Sequence, residues 1–118
     1  MIWKLNKEKP ICPQIYELIC VDIASDKLKP DQKLPSVREI AIQAGINPNT
    51  VQKAFEKLEV SGLVYSIRGT GWFIADNKDS ANEIVRNLIQ EKTVQYFEAL
   101  KGFGMTDGEI KKYIEEWQ

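Results

Sequence analysis

Asn49, Thr50, Gln52 and Lys53 lie within five consecutive positions, and all four carry polar atoms that can hydrogen-bond outward. Fifteen to twenty residues away, Arg68-Gly69-Thr70-Gly71 sets one guanidinium between small, turn-forming neighbours. Upstream, Ser36 precedes Arg38 by two positions. Carboxamides can pair with adenine edges in a major groove, and Lys or Arg can take guanine or a phosphate. A Gly-rich tip lets backbone approach a narrow groove closely.

Those side chains need elements that present them. Val51, Ala54, Phe55 and Leu58 recur at i, i+3, i+4 and i+7, so a helix over this stretch buries one stripe. It turns Asn49, Thr50, Gln52, Lys53, Glu56 and Lys57 outward. Asn47 is a good N-cap for it, Pro48 suits the first helical position, and Gly62 is the expected stop.

Ahead of it, Ser36-Val37-Arg38-Glu39 reads as a capping box, with Ile40, Ala41 and Ala44 as its apolar face and Gly45 as its terminator. The start of that helix exposes amides of the kind that grip phosphates. The short, Gly-containing connection Gly45-Ile46-Asn47 is the signature of a helix-turn-helix. A first helix is expected over Pro13–Ser25, where Ile15, Ile19 and Ile23 recur beside Tyr16 and Cys20, with Lys29-Pro30-Asp31 as a turn beyond it. After Gly62 the period shortens. Leu63–Ile67 and Trp72–Ile74 flank the Gly-rich tip as a β-hairpin. Helix, helix-turn-helix, then hairpin is the order of a winged helix.

From Ala75 to Gln118 the chain reads as two more helices. Ser80-Ala81-Asn82-Glu83 is expected to open the first with a capping box, and Ala81, Ile84, Val85, Leu88, Tyr96, Leu100 and Phe103 form its stripe until Gly102 and Gly104. Thr106-Asp107-Gly108-Glu109 opens the second, with Ile110, Tyr113, Ile114 and Trp117 along one side. Two helices cannot enclose a core alone, so these faces must meet something else. The expected fold is mainly α with a small β-hairpin: a winged helix-turn-helix over 1–76 and a short two-helix tail over 77–118.

Composition narrows the function classes. The 118 residues contain no histidine, which removes the commonest general base near neutral pH and every zinc site that needs histidine. Two cysteines eight residues apart form no CxxC, and they read as small apolar side chains. Gly69-Thr70-Gly71 is followed by no Gly-Lys-Ser/Thr, so it is no phosphate-binding loop of the nucleotide-hydrolase kind. No enzymatic activity, cofactor or metal is therefore expected. No apolar run is long enough to cross a bilayer, and the charged stretch from Met1 to Pro10 lacks the apolar core of a signal peptide. A cytoplasmic location without membrane partners follows as an expectation.

A net charge of −1 and a pI near 5.5 speak at first against nucleic acid. By segment, however, residues 1–32 are neutral, residues 33–74 carry +2, and residues 75–118 carry −3. The acidity sits mainly in the tail.

The segment from Lys33 to Ile74 resembles the winged helix-turn-helix of the GntR family of bacterial transcription regulators. The resemblance is carried by Leu34-Pro35-Ser36-x-Arg38, Thr50-Val51, Glu56-Lys57-Leu58-Glu59, Gly62 and Arg68-Gly69-x-Gly71-x-Phe73. Pro13-Gln14-Ile15-Tyr16-Glu17 and Lys29-Pro30 match the usual run-in. The short tail, and the Asn47-Pro48-Asn49-Thr50-Val51-Gln52 start of the recognition helix, are similar to the YtrA-like subfamily, whose two short C-terminal helices dimerise. The resemblance implies that Arg38, Asn49, Thr50, Gln52 or Lys53, Arg68 and Gly69 touch DNA. Together with Ser36, Asn47 and Thr70 from the residue-level reading, these form the candidate interface.

The resemblance also implies a homodimer on an inverted-repeat operator of double-stranded DNA, joined through Ile84, Leu88, Tyr96, Leu100, Ile110, Tyr113, Ile114 and Trp117. Repression by blocking promoter access is the simplest mechanism. Two departures stand out. Asp31 occupies a position where the family usually has Gly, and Pro48 one where many relatives have Arg. A winged helix used only for protein contacts is one alternative. The same regulator with a small molecule between wing and tail is another; Trp72, Phe73, Tyr96, Phe103, Tyr113 and Trp117 could line such a site, although aromatics at helical spacing are more often core.

Overall fold

A computed structural model describes residues 3–118; Met1 and Ile2 of the charged N-terminal stretch lie outside them. Five helices and one hairpin follow in the order α1 (Ile11–Ala24), α2 (Val37–Ala44), α3 (Pro48–Val60), β1 (Val64–Ile67), β2 (Gly71–Ile74), α4 (Lys78–Lys101) and α5 (Asp107–Glu115). The chain divides into two compact units, residues 1–85 and 86–118.

In the first unit, α3 packs against both α1 and α2. The four-residue repeat of α1 becomes the buried row Ile15, Ile19 and Ile23, with Cys20 beside it. Opposite stand Val51, Ala54, Phe55 and Leu58 of α3 and Ile40 and Ala41 of α2. Full burial of such a side chain contributes about 1.5–3 kcal/mol. The expected stripe on α3 is therefore the centre of the core. Leu34, Leu63, Val64 and Ile74 close it beneath the hairpin, and Trp72 meets Phe55 edge-on with ring centroids 5.5 Å apart.

The hairpin is antiparallel, pairing Val64 with Ile74 and Ile67 with Gly71. The chain before α2 runs along its outer edge. Asp31 N donates to Ile74 O at 2.7 Å, Ile74 N to Gln32 O at 2.9 Å, and Leu34 N to Trp72 O at 2.9 Å. Asp31 has φ +65°, the left-handed conformation that Asp tolerates better than most residues. The departure from Gly at this position thus keeps the turn, and the Asp31 carboxylate also accepts from the Tyr65 hydroxyl at 2.7 Å.

The first unit extends past the wing into α4. Ala81 is fully buried in its core, and Ile84 and Val85 pack against it. The capping box expected at Ser80 is not formed, because α4 already begins at Lys78. Asn77 Nδ2 donates to Gly62 O at 3.0 Å, and Lys78 Nζ pairs with Asp26 at 2.7 Å. These contacts fix the helix start three residues earlier, at Lys78 rather than Ala81, and leave Ser80 inside the first turn.

In the second unit, α5 carries the expected cap. Glu109 N donates to Thr106 Oγ1 at 3.2 Å, and Thr106 N donates to the Glu109 carboxylate at 3.0 Å. Lys101 pairs with Asp107 at 2.9 Å across the connection. Phe103 and Trp117 depart from their expected stripes. Each lies beyond its helix, 86% and 70% exposed respectively. Ile110 is the one fully buried side chain among this unit's described residues, since two helices have too little surface to enclose more.

Candidate nucleic-acid interface

The helix-turn-helix is set by two caps. Ser36 Oγ accepts from Glu39 N at 3.0 Å while Ser36 N donates to the Glu39 carboxylate at 3.2 Å. This box satisfies the amides of residues 36 and 39. The amides of Val37 and Arg38 remain as the orphan donors at the start of α2. Those two amides, the exposed Arg38 side chain and the Ser36 hydroxyl, which accepts in the box and keeps its own O–H to donate, are the groups a phosphate there could meet.

Gly45 ends α2 at φ +67° and ψ +42°, a conformation that Gly adopts without a Cβ penalty. Ile46 N then donates back to Ala41 O at 3.0 Å, which closes the turn tightly. Asn47 caps α3 by accepting from Asn49 N at 2.8 Å, with Pro48 following. Its side-chain oxygen is thereby committed to the helix, and its NH2 group is what it can offer a ligand.

Along α3, Asn49 and Lys53 are exposed and Thr50 and Gln52 are half-buried. Gln52 Nε2 donates to the Glu56 carboxylate at 3.2 Å, so the Gln52 carbonyl is the free end. Lys57, also on the expected outward face, instead places its ammonium 4.6 Å from the centre of the Tyr16 ring. It closes the α1–α3 seam over the Tyr16–Ser61 hydrogen bond of 2.8 Å.

At the wing tip, Arg68, Gly69 and Thr70 are all exposed. Thr70 N donates to Ile67 O at 2.9 Å, and Gly69 takes φ +79° to make the reversal. Behind the tip, Phe73 stacks on Tyr65 at 5.5 Å, and Lys33 bridges to Phe73 across the edge. Lys33 is a cation beside the wing that sequence reasoning passed over. Its signal was the buried Leu34 next to it, which forces the neighbouring side chain outward in extended backbone.

The candidate dimer residues divide between the units. Ile84 packs on the core of the first, and Ile110 is enclosed within the second. Tyr96, Tyr113 and Ile114 are exposed on the second unit together with Trp117, while Leu88 and Leu100 are half-buried. Tyr96, Tyr113, Ile114 and Trp117 line an open hollow of about 340 Å³. Tyr113 and Trp117 thus face solvent rather than forming core.

Among the described residues no group of His, Cys, Asp or Glu is placed to hold a metal ion, and no helix is long and apolar enough to cross a membrane.

Comparison with known proteins converges on one family. Residues 13–74 match the model of the bacterial regulatory proteins of the gntR family. The chain is 36% identical over 112 residues to the uncharacterized HTH-type transcriptional regulator YhcF of Bacillus subtilis, covering 95% of this chain and 93% of that one. It is 34% identical over 108 residues to the HTH-type transcriptional repressor YtrA of the same organism, covering 91% and 83%. Among solved structures, a GntR family transcriptional regulator from Listeria monocytogenes superposes with a TM-score of 0.80 at 26% identity, covering 97% of this chain and all of that one. The DNA-binding domain of AraR in complex with operator ORE1 matches 64% of this chain and 94% of its own, at 35% identity and a TM-score of 0.53. The chain therefore belongs to the GntR family of bacterial DNA-binding transcriptional regulators, and it is a winged-helix regulator rather than an enzyme.

Proposed function

We propose that this chain is a homodimeric repressor that binds an inverted-repeat operator, with α3 in the major groove and the wing on adjacent DNA. The observation that carries this reading is the outer face of α3 and the wing tip. Asn49, Lys53 and Arg68 are exposed and, among the described residues, their side chains have no hydrogen-bond or ion-pair partner. A helix about 10–12 Å across fits a groove about 12 Å wide, so such a face can reach base edges while the core stripe stays enclosed. Arg38 and the Val37 and Arg38 amides of α2 then meet a phosphate, which sets register without reading sequence.

Two copies are proposed to meet through the second unit. Ile89, Val94, Tyr96, Phe103, Tyr113, Ile114 and Trp117 are all exposed there, an apolar density that a 33-residue unit has no means of covering itself. A two-fold pairing of that surface doubles the reading head, and the operator mirrors it as an inverted repeat. Repression is supported by the likeness to YtrA, a transcriptional repressor.

The test is a mobility shift with the DNA upstream of the protein's own gene at about 50 and about 200 mM salt. Retardation at low salt that weakens at least about tenfold at high salt is expected. No retarded band at low salt overturns the reading. In the full chain, Ile114→Asp should shift sedimentation from dimer to monomer and weaken operator binding. A wild-type protein that sediments as a monomer at micromolar concentration would refute the dimer.

A further inference from the structure

We infer that Lys7, held at the apex of an ordered N-terminal arm, is a phosphate-anchoring residue of the DNA interface. The inference rests on the reading that α3 enters the major groove.

The arm is tied down rather than trailing. Trp3 and Leu5 pack against the core of the first unit. Lys9 N donates to Asn6 O at 3.1 Å and Glu8 N to Asn6 Oδ1 at 3.0 Å, which folds residues 6–9 into a turn. Gln14 of α1 then clasps that turn from beneath. Its Oε1 accepts from Asn6 N at 2.7 Å, and its Nε2 donates to Asn6 O and to Pro10 O, each at 2.9 Å.

The turn delivers Lys7 to a particular place. Its ammonium lies 3.1 Å from the position that a Cβ on Gly45 would take. Gly45 stands two residues before Asn47, the cap of α3, so the charge sits over the turn that leads into the recognition helix. Among the described residues Lys7 takes part in no ion pair. Lys4, in the same arm, has different company: it shares a shallow depression of α1 with Glu17 and Asp22. Of these two lysines, Lys7 is the one beside the helix-turn-helix. With α3 pointing its N-terminus into the groove, a cation flanking that end faces the sugar–phosphate backbone bordering the groove. One ammonium there neutralises one phosphate and reads no base.

The rival role for Lys7 is purely structural, an ammonium near the C-terminal carbonyls of α2. Salt dependence separates the two. Binding of the full-length protein to its upstream DNA is titrated from about 50 to 200 mM salt for wild type, Lys7→Gln, Lys7→Arg and Lys4→Gln, with thermal melting of each. Lys7→Gln is expected to lower the slope of log affinity against log salt by about one per protomer. It should weaken specific and non-specific DNA alike and leave the melting temperature unchanged. Lys7→Arg restores the slope, and Lys4→Gln keeps it. A wild-type slope in Lys7→Gln, or a lowered melting temperature with that slope intact, overturns the inference while leaving the proposed function standing. Failure of the wild type itself to bind DNA overturns both.

Discussion

Cys20 and Cys12 show how position along one helix separates two identical side chains. Cys20 is fully buried, and burial pushes its thiol up to about 12. Its folded pKa lies above the unfolded one, so its contribution to stability is complete below about pH 9 and is lost as pH rises from there toward 12. At pH 8, iodoacetamide should label the half-buried Cys12 of the native protein and spare Cys20 until the chain is unfolded; mass spectrometry of the alkylated peptides checks this. Asp31 makes a second case. Its left-handed backbone should make Asp31→Ala cost about 1–2 kcal/mol, whereas Asp31→Gly relieves the backbone and loses only the contact with Tyr65. Urea denaturation of the two variants tests the order. Loss of equal stability in both would place the cost in the side-chain contact alone.

At the scale of elements, three expected capping boxes had two outcomes. Those at Ser36 and Thr106 form. The one at Ser80 is overridden by Asn77 and Lys78, whose partners Gly62 and Asp26 lie 15 and 52 residues away in sequence. Local pattern cannot report such partners. The Thr106 cap has a measurable consequence. Hydrogen bonds from the Thr106 amide and hydroxyl hold the Glu109 carboxyl below its ordinary range, so this stabilisation is present above that range and fades as pH falls through the lowered pKa. Thr106→Ala should weaken α5 by about 0.5–2 kcal/mol at neutral pH. It should also shrink the acid-dependent part of its fraying without abolishing it, because the amide at position 106 still donates to Glu109; helicity by circular dichroism between neutral and acid pH measures this.

The same division between local and distant partners governs the candidate interface. Asn49, Lys53 and Arg68 were legible because the apolar stripe of α3 and the turn residues of the wing leave them outside wherever the core lies. Lys57 belongs to the same outward face by period, yet its ammonium goes to Tyr16 of α1, which only the packing of the two helices could supply. Lys7 carried no periodic or turn signal. Its place depends on the clasp of Gln14 and the nearness of Gly45.

For the whole molecule, the wing does not end the reading head. A chain cut after Asp76 loses Ala81, Ile84 and Val85 from its core, whereas one cut after Val85 keeps them. The longer fragment should be more stable by about 2–4 kcal/mol, from the apolar surface those three residues bury. Chemical denaturation of the pair measures the difference, and equal stability would show that α4 adds nothing to the head. If the second unit joins two copies, both fragments sediment as monomers.

The sequence by itself determined the order of the elements, the buried stripes of α1 and α3, the caps at Ser36, Asn47 and Thr106, and the Gly-dependent turns. These depend on side-chain period and on bonds within a few residues, which neighbouring positions supply. Tertiary structure alone decided the strand-like run of residues 31–34 along the wing, the start of α4, the seating of the exposed Lys57 over Tyr16, and the seating of Lys7 at the helix-turn-helix. Each of these is settled by a partner distant in sequence, and such partners exist only once the core has brought the elements together.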